Sequence, residues 1–293
     1  MDKRVVEERY RRLIEKINRL PSLPPLVARL IEVVNSPESS ADDAAELIEK
    51  DPALTGKLVR LANSAFYGMP RTISSVSSAV VILGFNTIRS VALSASVMNM
   101  FGGKGAQTPA FDYMRFWRHS IVCAMVARAI ARRLFNFVCI DPESAFCAAV
   151  LHDIGRLIFQ HLTPDEYGGV CRYARGKAVP LMGAEQEMMG ITHARIGSIL
   201  ADKWALPIDL ENALVFHHNP AAAPGGRELA AVVHIADGVC HSAGVNLWDG
   251  EVAPPPHGQA RVMLRLDEGD IGALLQIAKD SIAQSDEFFA IMR

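Results

Sequence analysis

With 293 residues the chain can bury a full core as one large domain or two smaller ones, without help from disulfides or metals. Half of it is hydrophobic but only 7% is aromatic, so the apolar mass is Ala, Leu, Val, Ile and Met, which favours helix packed on helix over a β-sandwich. Thirty basic against 32 acidic side chains give a formal net charge of −2, so there is no global pull toward phosphate polymers or anionic lipid, and neither nucleic acid nor a membrane is an expected partner.

Residues 3–19 read as a charged amphipathic helix, closed by Leu20-Pro21-Ser22-Leu23-Pro24-Pro25. The prolines then open a helix whose apolar face holds Leu26, Leu30, Ile31 and Val34. Ser40 or Asp42 caps the next, which runs to about Lys50, and Asp51-Pro52 begins another with Leu54, Leu58, Leu61 and Ala62 at helical spacing. Asn63 to Gly68 reads as a helix terminus with aromatic anchors, followed by a turn at Gly68-Met69-Pro70. From Val76 to Met100 the chain is apolar, but Gly84, Asn86, Arg89 and several serines interrupt it. It therefore reads as two buried helices, over 79–83 and from Thr87, rather than a span of ~20 apolar residues. The start carries no apolar signal core, and five cysteines without C-x-x-C spacing read as reduced thiols, so a cytoplasmic location is expected.

The Gly-rich stretch Gly102 to Pro109 is the expected boundary between an N-terminal subdomain, residues 1–105, and a second domain, 106–293. Helices are expected after it over 111–134, 143–161, 164–174, 182–188, 194–204, 208–217 and 227–243. A Pro-rich loop over 253–259 precedes a closing helical region, 267–292. Arg128, Arg132 and Arg133 read as a solvated face. Strand signals are nearly absent, and the fold class is all-α.

Of nine histidines, all but His119 lie beyond residue 150. His152-Asp153 sits in the apolar run Ala-Val-Leu-His-Asp-Ile-Gly-Arg-Leu, where an ionised Asp is costly unless positive charge meets it. A bound cation satisfies carboxylate and imidazole together. His217-His218 closes one helix, His193 opens another, His119 follows Phe116-Trp117-Arg118, and Asp237 lies in a later helix. Bundle metal sites are assembled in this way, from single residues on separate helices. His161, His234, His241 and His257 have no place in this pattern and read as structural or exposed.

Taken in order, His119, His152-Asp153, His193, His217-His218 and Asp237 resemble the HD superfamily of metal-dependent phosphohydrolases. More narrowly, the chain resembles HDOD proteins, signalling relatives of the HD-GYP phosphodiesterases. That likeness rests on Leu20-Pro21-Ser22-Leu23-Pro24, Ile48 to Leu54, Leu61 to Gly68, Ile73 to Val76 and Ala79 to Gly84. In the second part it rests on Phe116 to Ser120, Leu151 to Gly155 and His193 to Gly197, and overall it covers about 20–220.

The resemblance implies an N-terminal helical subdomain packed on an HD-like helical core. It implies that His119, His152, Asp153 and Asp237 hold one divalent ion and His193, His217 and His218 a second, with Asp153 bridging. Iron or manganese is the metal expected. Asp153 is then the central catalytic candidate and Arg156, where HD-GYP enzymes carry Lys, a phosphate clamp. Two departures weigh against turnover of a cyclic dinucleotide. The residues after His218, Asn219-Pro220-Ala-Ala-Ala-Pro-Gly-Gly, lack the HD-GYP signature, and Arg156 cannot donate a proton as Lys does. Arg115 stands where some relatives offer a carboxylate, so a third metal is not expected. Three functions stay open: a signalling protein with a retained metal centre, working through a protein partner or a nucleotide-type ligand; an active metal-dependent phosphohydrolase or phosphodiesterase; and a metal-free scaffold.

Overall fold

The structure, a computed structural model, describes residues 3–36, 38–64, 67, 72–101, 111–135, 137–254 and 258–292. Among the described residues there is no strand. In chain order the helices are α1 (Lys3–Asn18), α2 (Pro25–Asn35), α3 (Ala41–Glu49), α4 (Pro52–Ala62), α5 (Val76–Leu83), α6 (Phe85–Phe101), α7 (Tyr113–Leu134) and α8 (Pro142–Leu151). They continue as α9 (Ile154–Leu162), α10 (Pro164–Lys177), α11 (Leu181–Met189), α12 (His193–Lys203) and α13 (Ile208–Phe216). A short 3-10 turn, Pro220–Ala222, precedes α14 (Arg227–Ser242), α15 (Gly258–Met263) and α16 (Glu268–Met292). The expected turn at 68–70, the boundary loop 102–109 and His257 lie outside the described residues.

The chain forms two compact units, but not by a single cut near residue 105. One unit is Ser22–Gly102 with Ser281–Arg293; the other is Met1–Pro21 with Gly103–Asp280. Both exchanges have a local cause. In the first unit, Lys57 donates through Nζ to the Met292 carbonyl and to Asn99 Oδ1 (3.1 Å), and Phe288 and Met292 are fully buried. In the second, α1 buries Leu13 and Ile17, and Lys203 Nζ donates to the carbonyls of Ile17 (3.0 Å), Asn18 (2.8 Å) and Leu20 (2.5 Å). A cation on the last carbonyls of a helix answers its orphan acceptors and its dipole.

Within the first unit, α2 packs on α3 and α6, and α4 and α5 pack on each other and on α6. Ser40, not Asp42, caps α3, in a reciprocal capping box with Asp43; Asp51 caps α4 through the amides of Ala53 and Leu54. On α2 the buried face is Val27, Leu30 and Ile31, while Leu26 and Val34 are only half-buried. Asn63 is the C-cap of α4: its Nδ2 donates to the Val59 and Ile73 carbonyls and its Oδ1 accepts from the Ile73 amide, which supports the helix-terminus reading of that motif. Gly84, at φ 81°, turns α5 into α6 by 115°, a backbone region that side chains avoid. Among the described residues no single helix is long and apolar enough to cross a membrane.

In the second unit the long helix α7 packs along α8 and α14, and α12 packs against α9 and α13. Arg128 is not on a solvated face: it is 6% exposed, bonds Glu143 at 3.0 Å and lies 4.2 Å over the Phe146 ring. The expected loop over 253–259 ends early, because Gly258 already opens α15.

Candidate metal centre

All seven residues of the expected set lie in the second unit, and the fold brings them together. Asp112 caps α7 through the amides of Met114 and Arg115, and buried Phe116 and Trp117 fix the helix so that His119 points inward at 1% exposure. Its Nδ1 donates to the Val245 carbonyl at 2.7 Å, which turns Nε2 toward Asp237 Oδ1 on α14, 3.2 Å away.

The one helix expected over 143–161 is broken, and the break falls at His152-Asp153. Neither residue at the break is Gly or Pro. Instead His152 Nδ1 donates to the Ala149 carbonyl at 2.7 Å, a side-chain bond that competes with the helical ladder. Asp153 takes φ −99° and ψ 11° and starts α9. The break sends the imidazole and the carboxylate in the same direction, with His152 Nε2 3.3 Å from Asp153 Oδ2.

The other carboxylate oxygen faces a second set. Asp153 Oδ1 is 3.1 Å from His193 Nε2 and 3.9 Å from His217 Nε2. His193 Nε2 is in turn 3.4 Å from His217 Nε2 and 3.0 Å from His218 Nε2. His217 Nδ1 donates to the Leu214 carbonyl at 2.8 Å, and His193 Nδ1 to Glu185 Oε2 at 2.6 Å, an arrangement that turns Nε2 of each ring toward Asp153. Ring nitrogens about 2.0–2.1 Å from a shared ion stand about 2.8 to 3.4 Å apart, by the geometry of octahedral and tetrahedral coordination. The observed spacing fits that requirement.

Electrostatics agree. Burial alone would raise Asp153, but Arg156 and the surrounding imidazoles hold it ionised, well below the usual carboxylate range; burial is likewise outweighed at Asp237, by His241 and His119. Burial works to lower His152 and His241, yet Asp153 lifts the first and Asp237 raises the second to about 9. Burial, with neighbouring rings, pushes His217 down to about 3 and His218 well below its ordinary value. Two buried anions thus attract positive charge, held as protons or as metal. The nitrogens His119 Nε2 and His152 Nε2 and the oxygens of Asp153 have no aligned hydrogen-bond partner. Buried atoms of this kind are costly unless satisfied, and their chemistry of imidazoles with bridging carboxylate fits divalent iron, manganese or zinc.

Sequence reasoning missed four residues. His241, read as structural or exposed, is 8% exposed with Nε2 3.3 Å from Asp237 Oδ1; its i,i+4 spacing from Asp237 was the available signal. Glu185, fully buried on α11, accepts from the His193 amide (2.8 Å) and its ring and from the Tyr167 hydroxyl (2.8 Å). Glu251, its side chain 2% exposed, lies 3.7 Å from Arg156 Nη1. No local pattern announced Glu185, Tyr167 or Glu251. His161 is exposed, and His234 Nδ1 donates to the His217 carbonyl at 2.8 Å, a supporting role. Arg156 is 2% exposed and lies 3.0 Å from Asp153 Oδ2; Asp153 and Glu251 outweigh the burial that opposes its charge. Arg115 turns away to Asp249 at 2.8 Å.

Comparison with known proteins adds to this geometry. The family model for the HDOD domain matches residues 20–220. An uncharacterized protein of Treponema pallidum (strain Nichols) is 26% identical over 212 residues, which are 72% of this chain and 40% of that relative, so the chain spans well under half of its length. Among solved structures, an HDOD domain protein of unknown function from Geobacter sulfurreducens is 25% identical with a TM-score of 0.74, covering 99% of this chain and 98% of that one. A candidate phosphohydrolase from Shewanella amazonensis SB2B is also 25% identical at TM-score 0.74, covering 96% and 98%. A candidate signal transduction protein from Marinobacter aquaeolei VT8 shares the fold at TM-score 0.81 and 22% identity, covering 98% of this chain and 65% of that one.

Proposed function

Because this chain belongs to the HDOD domain family, we propose that it is a signalling protein whose HD-like unit retains a dinuclear divalent-metal centre. One observation carries the reading: the two oxygens of the buried Asp153 carboxylate face two different sets of imidazole nitrogens. His119, His152, Asp153 and Asp237 hold one ion; His193, His217 and His218 hold the other; Asp153 serves both. Iron or manganese is the proposed occupant. Bound there, such ions would supply concentrated positive charge able to bind anionic oxygens and to acidify water.

The protein's own groups favour regulation over turnover. Six of the seven donor residues are buried and His218 is partly buried, so the ions would sit in an enclosed bundle. Arg156, the candidate phosphate clamp, is engaged by Asp153 and Glu251. The residues after His218 form a 3-10 turn and, after four further residues, enter α14, without the HD-GYP signature. Output then passes through a protein partner or a nucleotide-type ligand, with the likeness to a candidate signal transduction protein in support at the level of fold.

The test joins elemental analysis of protein purified under reducing conditions to a phosphodiester assay with added Mn²⁺ or Fe²⁺, and to a thermal-shift screen of nucleotides and cyclic dinucleotides. Metal without turnover supports the proposal. Turnover lost in Asp153→Ala would make the protein a phosphohydrolase, the reading that the Shewanella likeness favours. Absence of metal would leave a scaffold.

A further inference from the structure

We infer that His241 is a metal ligand, and that it forms a cation position with His119 and Asp237 on the α14 side of the centre. The inference rests on the metal-centre reading above but adds a donor that the family resemblance does not assign. The three ligand atoms lie within 4.8 Å of one another. Asp237 Oδ1 is 3.2 Å from His119 Nε2 and 3.3 Å from His241 Nε2, and the side chains are 3%, 1% and 3% exposed. None of the three atoms has an aligned hydrogen-bond partner.

The far side of each ring explains why. His119 Nδ1 faces the Val245 carbonyl at 2.7 Å, and His241 Nδ1 faces the Asn246 side-chain oxygen, also at 2.7 Å. An oxygen of either kind only accepts, so each ring spends its Nδ1 proton there and turns an Nε2 lone pair toward Asp237. With both rings neutral, two lone pairs and a carboxylate oxygen converge in a space that water does not reach. Three such acceptors repel unless positive charge, a second ring proton or a cation, sits among them. A divalent cation with a taste for imidazole and carboxylate meets all three at once.

His119 Nε2 also belongs to a second donor group, with His152 and Asp153. It has one lone pair and serves one ion at a time. His241 therefore gives the ion held by His119 an alternative set of ligands displaced toward α14, sharing Asp237 Oδ1.

The deciding experiment is anomalous diffraction from crystals of the full chain soaked in Mn²⁺, read beside Mn²⁺ titration of His241→Ala. We expect a density peak at bonding distance from His241 Nε2, about 2.0–2.2 Å, and a loss of more than tenfold in affinity for one ion, while the ion of the His193 group is unchanged. Ions elsewhere in the centre with His241 beyond bonding distance, its Nε2 carrying a proton instead, would overturn this inference and leave the dinuclear reading standing. No ion anywhere would overturn both. If His241→Ala fails to fold, the diffraction result decides alone.

Discussion

Gly155 lies so close to His193 that a β-carbon placed on it would fall 2.0 Å from the His193 carbonyl oxygen and 2.7 Å from the carbonyl carbon. The obstacle is backbone, which cannot swing aside as the end of a flexible side chain can. Two stretches that carry proposed metal donors, the start of α9 and the start of α12, thus approach through a contact only glycine permits. Gly155→Ala is expected to force them apart at a cost of at least about 1–3 kcal/mol, the usual range for overpacking, and to weaken ion binding as His193 recedes from Asp153. Urea unfolding with chelator present measures the first effect and Mn²⁺ titration the second. Unchanged values in both would mean that the approach is looser than described.

Asp153→Ala separates ligation from mere packing. An ion present at 100 times its dissociation constant adds about 2.7 kcal/mol to the native state. Wild-type protein is therefore expected to gain several degrees in Tm when Mn²⁺ replaces chelator, and Asp153→Ala much less. Equal gains in both proteins would remove Asp153 from the centre.

Glu185 holds His193 by its amide and its ring, and Tyr167 steadies the other carboxylate oxygen. Outer partners of this kind orient a ligand and sharpen its basicity. Glu185→Gln should lower affinity for the ion at His193 by about 10–100-fold. Tyr167→Phe, which removes one neutral donor, should cost only about 1 kcal/mol of stability. Calorimetric metal titration of both variants checks the order; a larger loss of metal affinity in Tyr167→Phe would contradict the assigned roles.

Lys203→Met leaves three carbonyls at the end of α1 without their shared cation. Charge-assisted bonds are worth about 1.5–3 kcal/mol, and part of that should be lost. Hydrogen exchange should show α1 opening more readily, with α7 and α14 protected as before. Uniform loss of protection across the unit would mean that α1 is not held locally.

Much of this architecture is written in side-chain periodicity. Helical spacing in Leu54, Leu58 and Leu61, and the caps at Ser40 and Asp51, mark elements that the structure contains. What escaped notice has physical causes. The break at His152-Asp153 falls at residues that are neither Gly nor Pro, and it coincides with a side-chain bond to Ala149 that competes with the ladder. The exchange of terminal segments is invisible because an amphipathic stripe says that a helix is covered, not by what. Arg128 looked like surface until Glu143 and Phe146 supplied a buried seat. The expected donor residues were legible through their motifs, whereas Glu185 stands eight residues before His193 across a turn, and no spacing rule links them.

One consequence follows from how the rings are anchored. His119, His152 and His217 each spend their inner nitrogen on a main-chain carbonyl, those of Val245, Ala149 and Leu214. Their aim is thereby welded to the chain trace rather than to adjustable rotamers. An ion held by them would act as a reversible cross-link, tying distant stretches of polypeptide at one knot. Its departure would slacken that knot at several helix ends together, so that occupancy deep inside becomes a mechanical signal legible to whatever touches the outside.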